Sequence, residues 1–254
     1  MWKRQTVSDL KQKYQCGEKT IRRILDKAEL RQGKTFKPQI AVAVFDATHI
    51  GEQTLLVARA PNIKTNLGAA WIENETKEAY AGLRRNIEQK GFRLLAVVLD
   101  GRIGIPRVFE DMPVQICQFH QLQIVRRKLT LRPETEAGQE LLQITFTLAK
   151  TTEVAFKNQL DDWIKKYDSF ITEKTYVLGT KRWRYTHRRV RSAYQSLRRN
   201  LPYLFTCQKF SELDIPNTTN SLDGFWSRLK NLLSAHRGKS KERMMKIAEE
   251  ILKN

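Results

Sequence analysis

The spacing of apolar positions changes character several times along this chain. Residues 6–30 carry a helical period. Val7, Leu10 and Tyr14 line one face, and Ile21, Ile24 and Leu25 line a second. Gln15-Cys-Gly-Glu18 reads as the turn between two short helices, with Gly17 available for positive φ. Residues 31–38 are polar and hold two breakers, Gly33 and Pro38, as a linker does. Short β-like runs follow. Residues 40–46, 53–59 and 67–72 are predicted strands, with Gly51 and Pro61-Asn62 at the turns. Residues 75–90 return to helical spacing through Ala79, Tyr80, Leu83 and Ile87, and Gly91 stops the helix. Residues 93–99, apolar from Leu94 onward, predict a central fourth strand. From about residue 117 the chain reads as helical, with amphipathic segments near 137–149 and 153–169. In residues 220–233, Leu222, Phe225, Trp226, Leu229, Leu232 and Leu233 share one stripe that belongs in a core.

Three strands, a helix and a strand are the opening order of a ribonuclease H-like α/β fold. The expected organisation is a segment at 1–33 followed by a catalytic domain at 39–254, with a helical insertion at about 134–200. The first segment resembles the last two helices of a helix-turn-helix, with Lys19, Thr20, Arg22 and Arg23 outside. A full three-helix unit would need another helix before residue 6, so either a shortened N-terminus or a missing part on another polypeptide is expected. The alternative is a helical hairpin packed on the main domain.

Composition narrows the partner. Lys and Arg number 46 against 27 acids in 254 residues, a net charge of +19. Such an excess points to a polyanion, double-stranded DNA before others. Cys16, Cys117 and Cys207 are scattered and odd in number, which excludes a disulfide framework and suggests a reducing compartment. No apolar stretch approaches the roughly 20 residues of a membrane span, and residues 1–5 show no signal-peptide core. The expected location is the cytoplasm, on the nucleoid, with no membrane partner.

Three acids carry the candidate chemistry. Asp46 ends the apolar run 40–45, Asp100 ends the run 94–99, and Asp223 sits in the first turn of the segment at 220–233. Two strand ends and a helix start can converge on one pocket. Magnesium prefers such hard carboxylate oxygens, and two ions ~3.5–4 Å apart suit phosphodiester chemistry. Each acid also has a plainer reading: an Asx turn after a strand, or a cap beside Asn220. Asp223, Ser227 and Lys230 share a neighbouring stripe, which sets a phosphate-seeking lysine beside the acid. Cys117-Gln-Phe-His120 is either half a zinc site or a buried Cys with a hydrogen-bonded His near the active site. Residues 181–199 hold eight basic residues and no acid: Lys181, Arg182, Arg184, Arg188, Arg189, Arg191, Arg198 and Arg199. Trp183, Tyr185 and Tyr194 interleave with them, so phosphate contact with base stacking stands against a solvated helix with core aromatics. His236-Arg-Gly-Lys-Ser-Lys241 either contacts phosphate or ends a helix at Gly238.

Phe45-Asp-Ala-Thr48, Leu99-Asp-Gly101, Cys117-Gln-Phe-His120, Asn217-Thr-Thr-Asn-Ser-Leu-Asp-Gly224 and His236-Arg-Gly238 occur in this order. With them the chain resembles bacterial insertion-sequence transposases of the DDE type, in the broad group that includes Mutator-like enzymes. The resemblance covers nearly the whole chain. It implies a ribonuclease H-like domain with a helical insertion between the second and third acids. It also implies two Mg²⁺ or Mn²⁺ ions held by Asp46, Asp100 and Asp223, and cutting and joining of DNA. The implied partners are the element's terminal inverted repeats, target DNA and a second copy of the chain. Asp223 stands where that group most often has Glu. The rival readings are a ribonuclease H-like nuclease that cuts without joining, and an inactive remnant that only binds DNA.

Overall fold

A computed structural model describes residues 5–28, 39–176, 178–234 and 240–252. In chain order the elements begin with α1 (Val7–Tyr14), α2 (Glu18–Lys27), β1 (Gln39–Ile50), β2 (Gln53–Ala60), β3 (Thr65–Ile72), α3 (Lys77–Gln89) and β4 (Phe92–Leu99). They continue with β5 (Val114–Ile116), α4 (Gln118–Leu129), α5 (Glu136–Phe146), α6 (Glu153–Thr172), β6 (Lys174–Tyr176) and β7 (Trp183–Tyr185). Last come α7 (Arg188–Leu204), α8 (Thr206–Lys209), α9 (Asn220–Ser234) and α10 (Lys241–Leu252). Two units emerge, one of Met1–Arg93 with Asn220–Asn254, the other of Leu94–Thr219. The predicted linker at 31–38 and the His236-Arg-Gly238 phrase lie outside the described residues.

In the first unit, β1, β2 and β3 form an antiparallel meander. Ile50 pairs with Gln53 across the two-residue loop Gly51-Glu52, where Gly51 takes φ +62°. Positive φ at the first loop residue suits a tight hairpin and costs glycine little. β2 is buried along nearly its whole length, as its Leu55-Leu-Val-Ala58 run requires in the middle of the meander. α3 packs on β3. A Cβ on Gly68 would stand 2.9 Å from Leu83 Cδ1 and 3.1 Å from Ile87 Cγ1, so this glycine permits the close approach of helix and strand. Thr76 caps α3 by accepting from the Ala79 N–H, and Gly91 ends it at φ +86° as predicted.

The N-terminal hairpin forms where the spacing predicts, but its turn differs. Thr6 and Asp9 make a reciprocal capping box that fixes the start of α1. Gln15 takes the left-handed conformation at φ +50°, while Gly17 has φ −60° and serves as the N-cap of α2. Ile21 is buried, yet Ile24, expected on the same apolar face, is 59% exposed. α2 is fastened to α10: Arg243 Nε donates to Asp26 Oδ1 at 2.9 Å, and Lys246 Nζ donates to the Asp26 carbonyl at 2.9 Å. α10 also reaches β3, where Asn66 Nδ2 donates to the Leu252 carbonyl.

The second unit has two parallel strands, β4 and β5, and a helical core. Leu141, Phe156, Leu160, Trp163, Val190, Leu197 and Phe205 are among its buried members. The segment predicted near 137–149 becomes α5, and that near 153–169 becomes the longer α6. Amide side chains cross-link this interior. Asn200 Nδ2 donates to Gln121 Oε1 at 2.7 Å, and Gln121 Nε2 donates to Ser196 Oγ at 3.2 Å. Gln115 Nε2 and Gln118 Nε2 both donate to the Leu204 carbonyl at the end of α7, at 2.9 and 2.8 Å. Buried amides are stable only when paired like this, because an orphaned one costs about 1–3 kcal/mol.

Candidate functional site

Asp46 does not end its strand. β1 continues to Ile50, and Asp46 lies opposite Val57 in mid-ladder. The apolar run stops at Phe45, but β2 supplies backbone partners as far as the hairpin loop, and pairing carries the strand onward. Neighbouring strand residues face opposite sides. Phe45 meets Tyr80 of α3, with ring centroids 6.1 Å apart, so Asp46 faces the other side. There α9 packs on β1. Trp226 Nε1 donates to Asp46 Oδ2 at 2.7 Å, and the two residues are 6% and 9% exposed. A buried indole N–H needs an acceptor, and a buried carboxylate needs donors. The apolar stripe of α9 hid this role, since it placed Trp226 only in the core. The tryptophan's polar edge was the signal that could have revealed it.

Asp223 lies three residues before Trp226, one helical turn away on a similar side of α9, and is exposed. Ser227 and Lys230 are exposed as well, as their shared stripe predicts. Of the expected core stripe, Leu222, Trp226 and Leu229 are buried, while Phe225, Leu232 and Leu233 are half-buried.

Asp100 follows the last residue of β4, a strand end as expected. Its Oδ1 accepts from the Arg102 N–H at 3.0 Å, which is an Asx turn. Gly101 holds φ +84°, and a Cβ there would stand 2.9 Å from Ile116 Cγ2 and 3.3 Å from Asn200 Nδ2. Both the conformation and the space demand glycine directly after this acid. Among the described residues, no group of three or more His, Cys, Asp or Glu side chains is arranged to hold a metal ion.

Two motifs singled out in the sequence meet in the second unit. Cys117 is fully buried and caps α4, its Sγ accepting from the His120 N–H at 3.5 Å. The Thr219 N–H and hydroxyl lie 3.4 and 3.6 Å from the same sulfur, and Thr219 Oγ1 is 3.4 Å from His120 Nδ1. Gln118 N–H donates to the Asn217 carbonyl, and Asn217 Nδ2 donates back to Gln118 Oε1. Burial works against a Cys117 thiolate, but donors from His120 and Thr219 outweigh it, and the thiol sits below its ordinary range. Thr219 thus stands against both the Cys117 sulfur and the His120 ring.

The basic stretch at 181–199 is not one helix. It comprises part of the β6–β7 hairpin and the first two-thirds of α7. Lys181, Arg182, Arg184, Arg188 and Arg189 are exposed. Arg191 is half-buried, with its guanidinium 3.9 Å from the Tyr185 ring centre. The aromatics expected to stack on bases have partners already. Tyr194 stacks on Trp163 at 5.1 Å, Trp183 meets Tyr185 edge-on, and Lys174 Nζ lies 4.2 Å from the Trp183 ring centre. On α2, Lys19, Arg22 and Arg23 are exposed, with Arg22 3.8 Å from Glu18.

No protein-family model matches this chain. No curated protein matches it either. Among solved structures the chain is similar to the Drosophila P element transposase strand transfer complex, with a TM-score of 0.39 and 11% sequence identity, over 94% of this chain and 84% of that one. Among the described residues no helix is long and apolar enough to cross a membrane.

Proposed function

We propose that this chain is a DNA-processing enzyme of the DDE transposase type, on a ribonuclease H-like catalytic domain, cutting and joining DNA at insertion-sequence ends. The observation that carries the reading is the Trp226–Asp46 hydrogen bond. It fastens α9, the helix that carries Asp223, to the strand that carries Asp46, which supports a shared site. Asp100, pinned in its turn by Gly101, is the third member. The partners are duplex DNA of the element ends and target, with a second copy of the chain.

Asp46, Asp100 and Asp223 would hold two Mg²⁺ or Mn²⁺ ions. Their donor chemistry fits, because all are hard carboxylate oxygens. The lack of a ready three-ligand group among the described residues is compatible with magnesium, which commonly takes one or two carboxylates and completes its shell with waters and substrate phosphate. When bound, such ions supply charge neutralisation at the phosphate and activation of the attacking oxygen. The protein's own part is positional. Trp226 orients the Asp46 carboxylate, and Lys230 on α9 meets backbone phosphate beside Asp223. The exposed cations of α2 and of the 181–189 stretch hold the duplex. Strand cleavage forms a bond from a water oxygen to phosphorus and releases a 3′-hydroxyl. In joining, that hydroxyl oxygen bonds to a target phosphorus as the target's own P–O3′ bond breaks, and the proton lost by the attacking hydroxyl is balanced by one taken up at the departing 3′-oxygen.

A second reading is a DNA-binding protein without cleavage. It is favoured by the aspartate at 223, where the resembled group most often has glutamate, and by the lack of a ready three-ligand group among the described residues. Cleavage and strand-transfer assays on element-end duplex with Mg²⁺ or Mn²⁺ separate the two. Asp46→Asn and Asp100→Asn should each abolish cleavage without unfolding the chain, and Asp223→Glu should retain or raise it. Metal-dependent cleavage unaffected by either Asn variant would sink the three-acid assignment. Duplex binding with no cleavage under either metal would favour the second reading.

A further inference from the structure

The second unit contains a cleft of about 510 Å³ between the α4–α5 connection and the β6–β7 hairpin. We infer that it seats backbone phosphates of double-stranded DNA. The inference rests on the DNA-processing reading and adds a location and a contact set to it. Lys128 and Arg132 approach from one wall, Arg184 from the hairpin, and Arg188 and Arg189 from the start of α7. Five cations from three segments therefore line one cleft, against a single lining carboxylate, Glu134. Lys128 and Arg132 lie far outside the basic stretch that the sequence marks, and only folding brings them to it.

Five acids of the second unit are engaged elsewhere. Asp161 pairs with Lys157 and Arg198, Asp162 with Lys165, Glu136 and Glu140 with Lys166, and Glu153 with Lys209. Glu173 is bonded at 2.9 Å to His187, which itself lines the cleft, so its carboxylate stands at the cleft too, and the five cations still outnumber it and Glu134. Among the described residues, Arg132, Arg184, Arg188 and Arg189 form no ion pair. Like charges gathered inside a Debye length of about 8–10 Å repel one another, and a polyanion in the cleft relieves that repulsion. The first turn of α7 adds to the cost, since two arginines and no acid stand at its positive end.

The chemistry selects phosphate over base. Arg191 covers the Tyr185 ring and Lys174 lies over Trp183, while these two rings meet edge-on. Ring faces engaged this way are poor platforms for flipped or single-stranded bases. Guanidinium forks, by contrast, match phosphate oxygens in pairs. A cleft of this size with cations on opposing walls exceeds a lone phosphate, and Lys181 and Arg182 on the loop between β6 and β7 extend the basic strip beyond it.

The test uses the full chain, a labelled duplex of arbitrary sequence, and fluorescence anisotropy over a salt series. Each lost phosphate contact should lower the slope of log K against log salt by about 0.9. Arg132→Gln/Arg184→Gln/Arg188→Gln should therefore lower it by roughly two to three. The control, Lys157→Gln/Lys165→Gln/Lys166→Gln, removes the same net charge from the ion-paired surface of α6 and should leave the slope near wild type. All three cleft positions are exposed, so thermal melts should agree with wild type. If the triple variant nevertheless unfolds, the three single variants, each expected to lose about 0.9, decide the matter. Equal losses in cleft and control variants, or a cleft variant with the wild-type slope, would overturn the seat and leave DNA binding standing. A wild-type chain that prefers single-stranded DNA, with the cleft variant losing only that binding, would overturn the duplex assignment. No binding of any DNA by wild type at low salt would overturn both the seat and the functional reading beneath it.

Discussion

Trp226→Phe is the most direct probe of the link between β1 and α9. Phenylalanine keeps most of the buried ring and removes only the indole N–H that Asp46 accepts at 2.7 Å. A hydrogen bond to a charged group is worth about 1.5–3 kcal/mol, and the smaller ring adds roughly 1 kcal/mol for imperfect filling. The expected loss is about 2–4 kcal/mol, read by urea unfolding. At roughly 2–4 °C per kcal/mol for a chain of this size, the melt should fall by roughly 5–15 °C. The loss alone does not identify its cause, so the full cycle with Asp46→Asn is needed. Asparagine keeps an acceptor but weakens the bond to a neutral one. The two substitutions should therefore couple by about 1 kcal/mol or more. If their effects add within about 0.5 kcal/mol, the bond contributes nothing specific. In that event the claim that Trp226 orients Asp46 and aligns the start of α9 fails with it.

Gly101→Ala should cost about 2–3 kcal/mol in urea unfolding, combining strain at φ +84° with the 2.9 Å approach to Ile116; wild-type stability would show that the Asp100 turn is not set by glycine. Cys117 should leave a mark on the pH dependence of stability. Despite burial, hydrogen bonds from His120 and Thr219 hold its thiol below the ordinary cysteine range in the folded chain, so between the folded and unfolded values the unfolded chain binds more protons, and stability rises with pH. The contribution is complete above the unfolded pKa and is lost as pH falls through the folded one. Cys117→Ala should remove that rise, and identical slopes for variant and wild type in alkaline urea titrations would refute the assignment.

The long strands and α3 are readable because local pattern and tertiary demand agree there. Alternation and an unbroken apolar run specify β2 and β4, and Thr76 and Gly91 mark the ends of α3 in the sequence itself. Where pairing overrides pattern, reading failed. β1 outruns its apolar stretch because β2 lies alongside it, so Asp46 was expected at an end and stands in the middle. The triplets of β5, β6 and β7 are too short for any period to show; β5 falls in the unassigned stretch after β4, and β6 and β7 lie in the part of the chain that reads as helical. Gln15 rather than Gly17 takes positive φ because the capping of both helices, more than glycine's freedom, fixes that turn. The acids Asp46, Asp100 and Asp223 were legible as candidates from their settings. Trp226 was not, since its partner lies 180 residues away in the chain. The cleft was half legible: Arg184, Arg188 and Arg189 announce themselves in a basic run, whereas Lys128 and Arg132 join them only through the packing of α4 on α7.

The amide cross-links inside the second unit have a bearing on how this protein answers its medium. Leu204 ends α7 with a carbonyl held by two glutamine side chains, and no basic residue stands in that last turn. A helix end more often secured by a cation is here secured by neutral dipoles. Neutral hydrogen bonds buried from solvent are nearly blind to ionic strength, while arginine–phosphate contacts at the surface weaken steeply with it. If the cleft seats DNA as proposed, added salt would strip the polyanion from the exterior of this unit and leave the interior fastening of α4, β5 and α7 intact. Release would then proceed without loosening the frame that presents the arginines.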